Sequence, residues 1–277
     1  MATLNSPEHR DLSPNQIVPL LANKGHYLGS EASFYRILRE EDLQRHREPS
    51  RPAIHTRPDE KVATGRNQVW SWDITYLASP IRGAFFYLYL VMDIWSRKIM
   101  GWEVHPVEDM GLSSTMIRRL YEENGIAPDQ LNLHADNGGP MKGATMLATL
   151  EKLGVAASFS RPRVSDDNPY SESLFRTLKY RPEYPRRPFE SIEAANTWVA
   201  GFVRWYNEEH LHSEISFVTP SDRHAGLDIA ILETRHRVYE QARKRNPNRW
   251  SGKTRNWTAP TKVVLNGTLQ HSMDAAA

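Results

Sequence analysis

Hydrophobic positions along the chain follow two periods. From Trp70 they alternate, with Trp70, Trp72, Ile74 and Tyr76 set against Ser71, Asp73 and Thr75, the period-two pattern of a half-buried strand. After the turn at Arg82-Gly83, the run AFFYLYLVMDIW is strongly β-forming, and KIMGWEVHP supplies a third strand. The period then switches. The spacing predicts a helix over 111–123, a strand over 130–135, a helix over 143–153 and a strand over 155–160. Two further helices are expected over 166–180 and 191–209. The second carries Ile192, Ala195, Trp198, Val199, Phe202, Trp205 and Tyr206 at helical spacing, a stripe that belongs in a core.

Three hairpin-linked strands followed by alternating helices and strands imply an α/β fold with a mixed sheet flanked by helices, the order of a ribonuclease-H-like core. Ahead of it, SPNQIVPLLANKG carries the marks of a helix start: Ser13 as cap, Pro14 at the first position and Gln16 completing a capping box. A second start follows at Ser30. Ile17, Leu20, Leu21, Phe34, Ile37 and Leu38 are the expected inward positions, and Pro19 argues mildly against an undisturbed first helix. Two short helices around a Gly-containing turn suggest a helix-turn-helix over 1–47, with Ser33, Tyr35, Arg36 and Arg39 outward and available to DNA. A helical hairpin that only packs on its neighbour is the alternative. The Pro-rich, charged stretch 48–66 is a linker, 67–226 is the ribonuclease-H-like domain, and 227–277 is a basic tail.

Composition narrows the chemistry. With 277 residues and 39% hydrophobic content, the chain can fill one sizeable core and still carry small modules. Cysteine is absent, so any metal must sit on carboxylate or imidazole, and a cytoplasmic location is expected. The amino terminus has no secretory pattern, and no apolar stretch approaches the roughly 18 to 20 residues of a membrane span. The net charge of +2 conceals an uneven distribution: between Glu233 and Trp257, eight Lys or Arg face two acids. With Trp250 and Trp257 interleaved, this arm, including Arg243, Lys244 and Arg245, suits phosphate contact with some stacking. A solvated terminus is its plainer reading.

Three acids stand out. Asp73 occupies mid-strand between Trp72 and Ile74, where a carboxylate is disfavoured and needs a partner. Asp136 ends the apolar run LNLHAD before Asn-Gly-Gly, and Glu172 lies in the helix opened by DDNPYSES. Each alone has an ordinary reading: a structural ion pair, a turn aspartate, a surface helix former. Together they carry more, because 35 residues separate Asp136 from Glu172 and Asp73 lies 63 positions before Asp136. Arg176 and Lys179 follow Glu172 by four and seven residues on the same helical face. Cations there suit DNA phosphates, and Arg161 and Arg163, entering the adjoining loop, are further candidate DNA contacts, with an ordinary exposed loop arginine as the alternative. His134 shares a strand face with Asp136, either beside the site or as a packed core histidine. No metal pattern includes His210 or His212.

WSWDITYL, LHADNGG and SDDNPYSESLFRTLK resemble the three catalytic motifs of retroviral integrases and bacterial insertion-sequence DDE transposases. Lys179 and the WYNEEHLHSEISFVTPSD stretch are most similar to transposases encoded by two overlapping reading frames. The resemblance covers roughly 12–226. It implies that Asp73, Asp136 and Glu172 are catalytic ligands of two Mg²⁺ ions, with Mn²⁺ able to substitute. It further implies that Lys179 binds DNA phosphate and that the activity is strand cleavage and strand transfer at the ends of a mobile element. Expected partners are DNA (terminal inverted repeats and target), further copies of the chain and a DNA-binding protein from an upstream frame, with no membrane, in a bacterial, nucleoid-associated setting. A nuclease without strand joining and a non-catalytic DNA-binding regulator compete with this reading.

Overall fold

The computed structural model describes residues 3, 6, 8, 9, 12–41, 59–161 and 167–267. Arg163 and most of the 48–66 linker lie outside the described residues. Contacts divide the chain into two compact units, one up to position 54 and one after it.

In the first unit, α1 (Pro14–Asn23) begins at Ser13, whose backbone N–H donates to Gln16 Oε1 at 3.1 Å. The capping box predicted from SPNQ is therefore formed, and the helix continues through Pro19. Gly25 ends it at φ 77°, and α2 (Glu31–Glu40) is capped by Ser30. Ile17, Leu21 and Phe34 form the small core. Leu20 and Ile37, expected inside, are 39% and 37% exposed, because two short helices bury only a narrow seam. The connection 24–30 is longer than the three or four residues of a tight helix-turn-helix turn.

The second unit is built on five strands: β2 (Val69–Ala78), β3 (Phe85–Asp93), β4 (Ile99–His105), β5 (Asn132–Ala135) and β6 (Ala156–Phe159). Their order is β4-β3-β2-β5-β6, antiparallel among the first three and parallel from β2 through β5 to β6. The predicted meander and the later βα units thus meet at β2. Helices cover both faces, with α3 (Met110–Glu123), α4 (Gly139–Lys142) and α5 (Ala144–Leu153) associated with one layer, and α6 (Pro169–Tyr180) and α7 (Ile192–Glu208) with the other. The fold is the ribonuclease-H-like mixed sheet.

The alternation in β2 decides which residues go where. Trp70, Trp72 and Ile74 pack with Met116, Ile117, Leu120, Met146 and Leu150. The opposite parity carries Leu77, which packs with Leu174, Phe175, Leu178, Val199 and Phe202. Ser71, Asp73 and Thr75 therefore point toward the α6/α7 layer. Gly101 of β4 belongs to the first layer's packing: a Cβ there would come within 2.4 Å of Leu120.

The stretch read as a basic tail is built as α9 (Asp228–Arg245) and an extended return ending in β7 (Val263–Leu265), which pairs antiparallel with β1 (Lys61–Ala63). Ahead of it, α8 (Pro220–His224) supplies Arg223, fully buried. Its guanidinium donates to Trp95 O at 2.8 Å, Asp228 Oδ2 at 3.0 Å and Pro260 O at 2.7 Å. One side chain thus ties the β3–β4 turn, the start of α9 and the return segment together. Replacing Arg223 with Met strands Asp228 as a buried unpaired charge, which costs on the order of 3 to 5 kcal/mol. Urea denaturation of Arg223→Met should show that loss, with faster proteolysis within 246–262. Adding Asp228→Asn should recover part of the stability, and no change in the urea midpoint would contradict this role.

Candidate active site

Asp73 and Asp136 are brought together by strand register. Trp72 and Ala135 are the last partners of the parallel β2–β5 pair, and each aspartate is the next residue along its strand. Neighbouring strands lie about 4.8 Å apart, and residues in equivalent positions project to the same face. Leu133 and Ala135 belong to the α3/α5 core, so His134 and Asp136 point to the opposite side, as Asp73 does.

Glu172 comes to the same face through a buried polar knot. Ser71 Oγ lies 2.6 Å from both Asn168 Oδ1 and Ser171 Oγ, and all three residues are buried. Asn168 Nδ2 also reaches Trp72 O at 3.5 Å. These contacts fasten the amino-terminal end of α6 to β2 two residues before Asp73. Leu174, Phe175 and Leu178 anchor the buried side of the helix, which leaves Glu172, Arg176 and Lys179 on its exposed face.

The aspartates are held by different partners. Asp73 Oδ1 accepts the Ile74 N–H at 2.7 Å, and Asp136 Oδ1 accepts the Ser160 hydroxyl at 2.7 Å. Ser160 Oγ also lies 3.4 Å from His134 Nε2, whose Nδ1 is 3.0 Å from Ser158 Oγ. His134 is fully buried, and burial pushes it below the ordinary imidazole range. It is a core histidine that also reaches Asp136 through one hydroxyl. Among the described residues, no three acidic or imidazole groups are close enough to enclose an ion as they stand.

Electrostatics mark the cluster nevertheless. Asp73 is raised to about 7, first by burial and then by the negative charge of Asp136, with further contributions from Glu172 and Glu108. Lys179 is lowered by loss of water, opposed by the charge of Asp73. The lysine is therefore within electrostatic reach of Asp73. Arg176 lies 5.9 Å from the Tyr180 ring centre. Arg161 forks onto the buried carboxylate of Asp167, with Nε and Nη2 both at 2.9 Å, so its guanidinium is committed to the loop. Arg243, Lys244 and Arg245 form the last turn of α9. Ser33 is engaged with Ser30 at 3.1 Å, while Tyr35 is half-buried and Arg36 and Arg39 are exposed on α2.

Sequence reasoning missed Glu108 and Ser160. Glu108 raises Asp73 and, after burial, also raises Tyr76, but it precedes α3 with no periodic tie to any of the three acids. Ser160 closes β6, where its one signal was the pairing of β6 beside β5.

Two strand-borne aspartates and a helix-borne glutamate thus lie toward one face of this ribonuclease-H-like sheet. Integrase core domain signatures match residues 63–165 and 153–220, and residues 63–220 belong to the integrase core family. The chain is 29% identical over 162 residues to the transposase for insertion sequence element IS904 of Lactococcus lactis, covering 58% of this chain and 62% of that protein. It is 30% identical over 159 residues to transposase InsF for insertion sequence IS3A of Escherichia coli, covering 57% and 54%. The matches thus span a little over half the length of these curated relatives. Among solved structures, a chain of the simian T-cell lymphotropic virus intasome in complex with PP2A regulatory subunit B56 gamma superposes with a TM-score of 0.49 at 15% identity, covering 76% of this chain and 74% of that one. The catalytic domain of the Mos1 mariner transposase gives a TM-score of 0.40 at 14% identity, covering 50% of this chain and 70% of that one.

The raised Asp73 carboxyl predicts a pH dependence. Its folded value of about 7 exceeds the unfolded value of about 3.9, so its stabilising contribution is complete below about pH 4 and gone above about pH 7. Without divalent ions, the melting temperature of wild type should fall relative to that of Asp73→Asn as pH rises through this window. Mg²⁺ should raise the wild-type melting temperature more at pH 8 than at pH 6. Parallel wild-type and variant curves would refute the assignment.

Proposed function

We propose that this chain is a DNA transposase, cleaving DNA strands at the ends of a mobile element and joining them to a target, with Asp73, Asp136 and Glu172 as ligands of divalent metal. The observation that carries the proposal is the approach of these carboxylates from β2, the end of β5 and the first turn of α6 to one half-buried place, where burial and then the charge of Asp136 raise Asp73 to about 7.

The donor set suits Mg²⁺, which takes hard oxygen ligands and retains several waters, so that three carboxylates suffice for a pair of ions completed by DNA oxygens. Such a pair supplies activation of the attacking oxygen and stabilisation of the leaving oxygen in an in-line displacement. The chain's own residues perform the preparation. Asp73 gives up its proton before it can act as a ligand, Ser160 fixes the direction of Asp136, and the Ser71–Ser171 contact fixes the helix that carries Glu172. Lys179 holds a DNA phosphate beside the carboxylates, and Arg176 lies one turn nearer Glu172. No side chain attacks phosphorus: water opens the strand, and the freed 3′-hydroxyl attacks a second phosphodiester. The basic last turn of α9 contributes further DNA contact, and the outward residues of α2 contact DNA from the separate amino-terminal unit. The reading includes element inverted repeats as substrate, assembly of several copies and cooperation with an upstream-frame partner. Among the described residues no helix is long and apolar enough to cross a membrane.

The test is incubation with labelled element-end DNA and Mg²⁺, separating nicked from joined products. Joined products should form with wild type and fall in Glu172→Gln by more than the roughly 10- to 100-fold cost of disturbing groups that only support a ligand, while DNA binding is retained. Normal strand transfer by Glu172→Gln would overturn the metal assignment, and cleavage without joining would favour a nuclease.

A further inference from the structure

A second side of α6 borders a pocket of about 270 Å³ that includes Arg97, Tyr170, Ser173, Tyr206, His212 and Glu214 in its lining. Arg97 is the feature that calls for explanation. It is 8% exposed, held in the β3–β4 turn at φ 67° with its N–H on Asp93 O at 2.8 Å. Its guanidinium lies 4.3 Å from the centre of the Tyr170 ring, and its Nε is enclosed with no acceptor. The nearby carboxylate of Asp93 is already taken by the N–H groups of Asn67 and Ser96 at 2.5 and 2.9 Å. No carboxylate forms an ion pair with Arg97 among the described residues. A buried cation without a counter-charge is expensive, and a guanidinium fork beside a cavity is the shape that recognises tetrahedral oxyanions.

The rest of the lining fits such an anion. Pro169, Tyr170 and Ser173 belong to the start of α6, the end of a helix that favours negative charge. His212 Nδ1 accepts the Glu214 N–H at 3.2 Å, which leaves Nε2–H as a donor. Burial, then the charge of Arg97, pushes His212 to about 3, so the imidazole is neutral near pH 7 and does not repel Arg97. Ser173 and Tyr206 bring hydroxyls. Glu214, exposed on η-turn residues 213–215, is the acid among the lining residues.

We propose that this pocket is a phosphate-binding site, with Arg97 providing the charge and His212, Ser173 and Tyr206 the neutral donors. The site is separate from the three carboxylates, and its chemistry does not depend on the transposase reading. The phosphate could belong to a nucleic-acid strand or to a free anion, and the two sources are separable by experiment.

The experiment is titration of the full chain with inorganic phosphate, followed through the His212 imidazole signals by NMR, with calorimetry for affinity. Phosphate should move the His212 signals saturably in wild type. Arg97→Met, with its fold checked by near-ultraviolet circular dichroism, should lose the response. Glu214→Gln, at an exposed position, should bind phosphate more tightly by on the order of five-fold, the effect of removing one unit charge a few ångströms away in water. Competition by a short single-stranded oligonucleotide for the same signals would identify a strand phosphate as the natural occupant, and response to inorganic phosphate alone a free anion. Unmoved His212 signals in both wild type and Glu214→Gln, or unchanged binding in folded Arg97→Met, would overturn the proposal.

Discussion

Carboxylates gathered on one face of a sheet repel one another, and the protein must hold them there with interactions that do not involve the charges. Here two constraints suffice. The parallel pairing of β2 with β5 ends at Trp72 and Ala135, placing the next residue of each strand side by side. The Ser71, Asn168 and Ser171 knot then fixes the start of α6 against β2. Both are neutral hydrogen-bonded contacts backed by apolar packing, so burial and, after it, the repulsion from Asp136 appear as the raised proton affinity of Asp73 rather than as a displaced strand or helix. A slip of one residue in β2 would carry Asp73 into the tryptophan face and Trp72 into the site.

That dependence explains what was legible in the sequence. Trp70, Trp72 and Ile74 announced a strand with two unlike faces, and the fixed face of Asp73 followed from their alternation. The helices α3, α5, α6 and α7 were visible from apolar spacing, with boundaries shifted by a residue or a few, most at α6, where the chain becomes helical only at Pro169. What stayed hidden depends on distant pairing. Lys61–Ala63 meets Val263–Leu265 across some two hundred positions, and three-residue strands leave no period to detect. Glu108 and Arg97 lie in connections, where no repeat marks the direction of a side chain. The amino-terminal helices show the opposite failure: capping chemistry located both starts, yet amphipathic spacing overstated the buried set by including Leu20 and Ile37, because burial depends on how much partner surface exists.

The same distinction applies to charge. Counting Lys and Arg between Glu233 and Trp257 identified a basic segment, but composition cannot say whether such a segment is free or fixed. Arg223 makes the difference. By bonding Trp95, Asp228 and Pro260 from a fully buried position, it turns the tail into an extension of the sheet domain, and Tyr170 of α6 adds a bond to Val264 O at 2.7 Å. The positive last turn of α9 is therefore presented from a folded frame. A fixed array of cations loses less side-chain and backbone entropy on meeting a phosphate backbone than a disordered arm would.

Helix α6 is where these threads meet. One side carries Glu172, Arg176 and Lys179, a second is sealed by Leu174 and Leu178, and its first turn borders the pocket of Arg97. Ser173 lines that pocket and is adjacent in sequence to Glu172, so an anion held at Arg97 and the carboxylate at Glu172 would be read by the same turn of backbone. Any shift of that turn is resisted from β2 by Ser71 and from β7 by the Tyr170 hydroxyl. A ligand in the pocket would consequently act on Glu172 chiefly by stiffening a helix start that is already fastened at two points, which makes the coupling one of order rather than of large displacement.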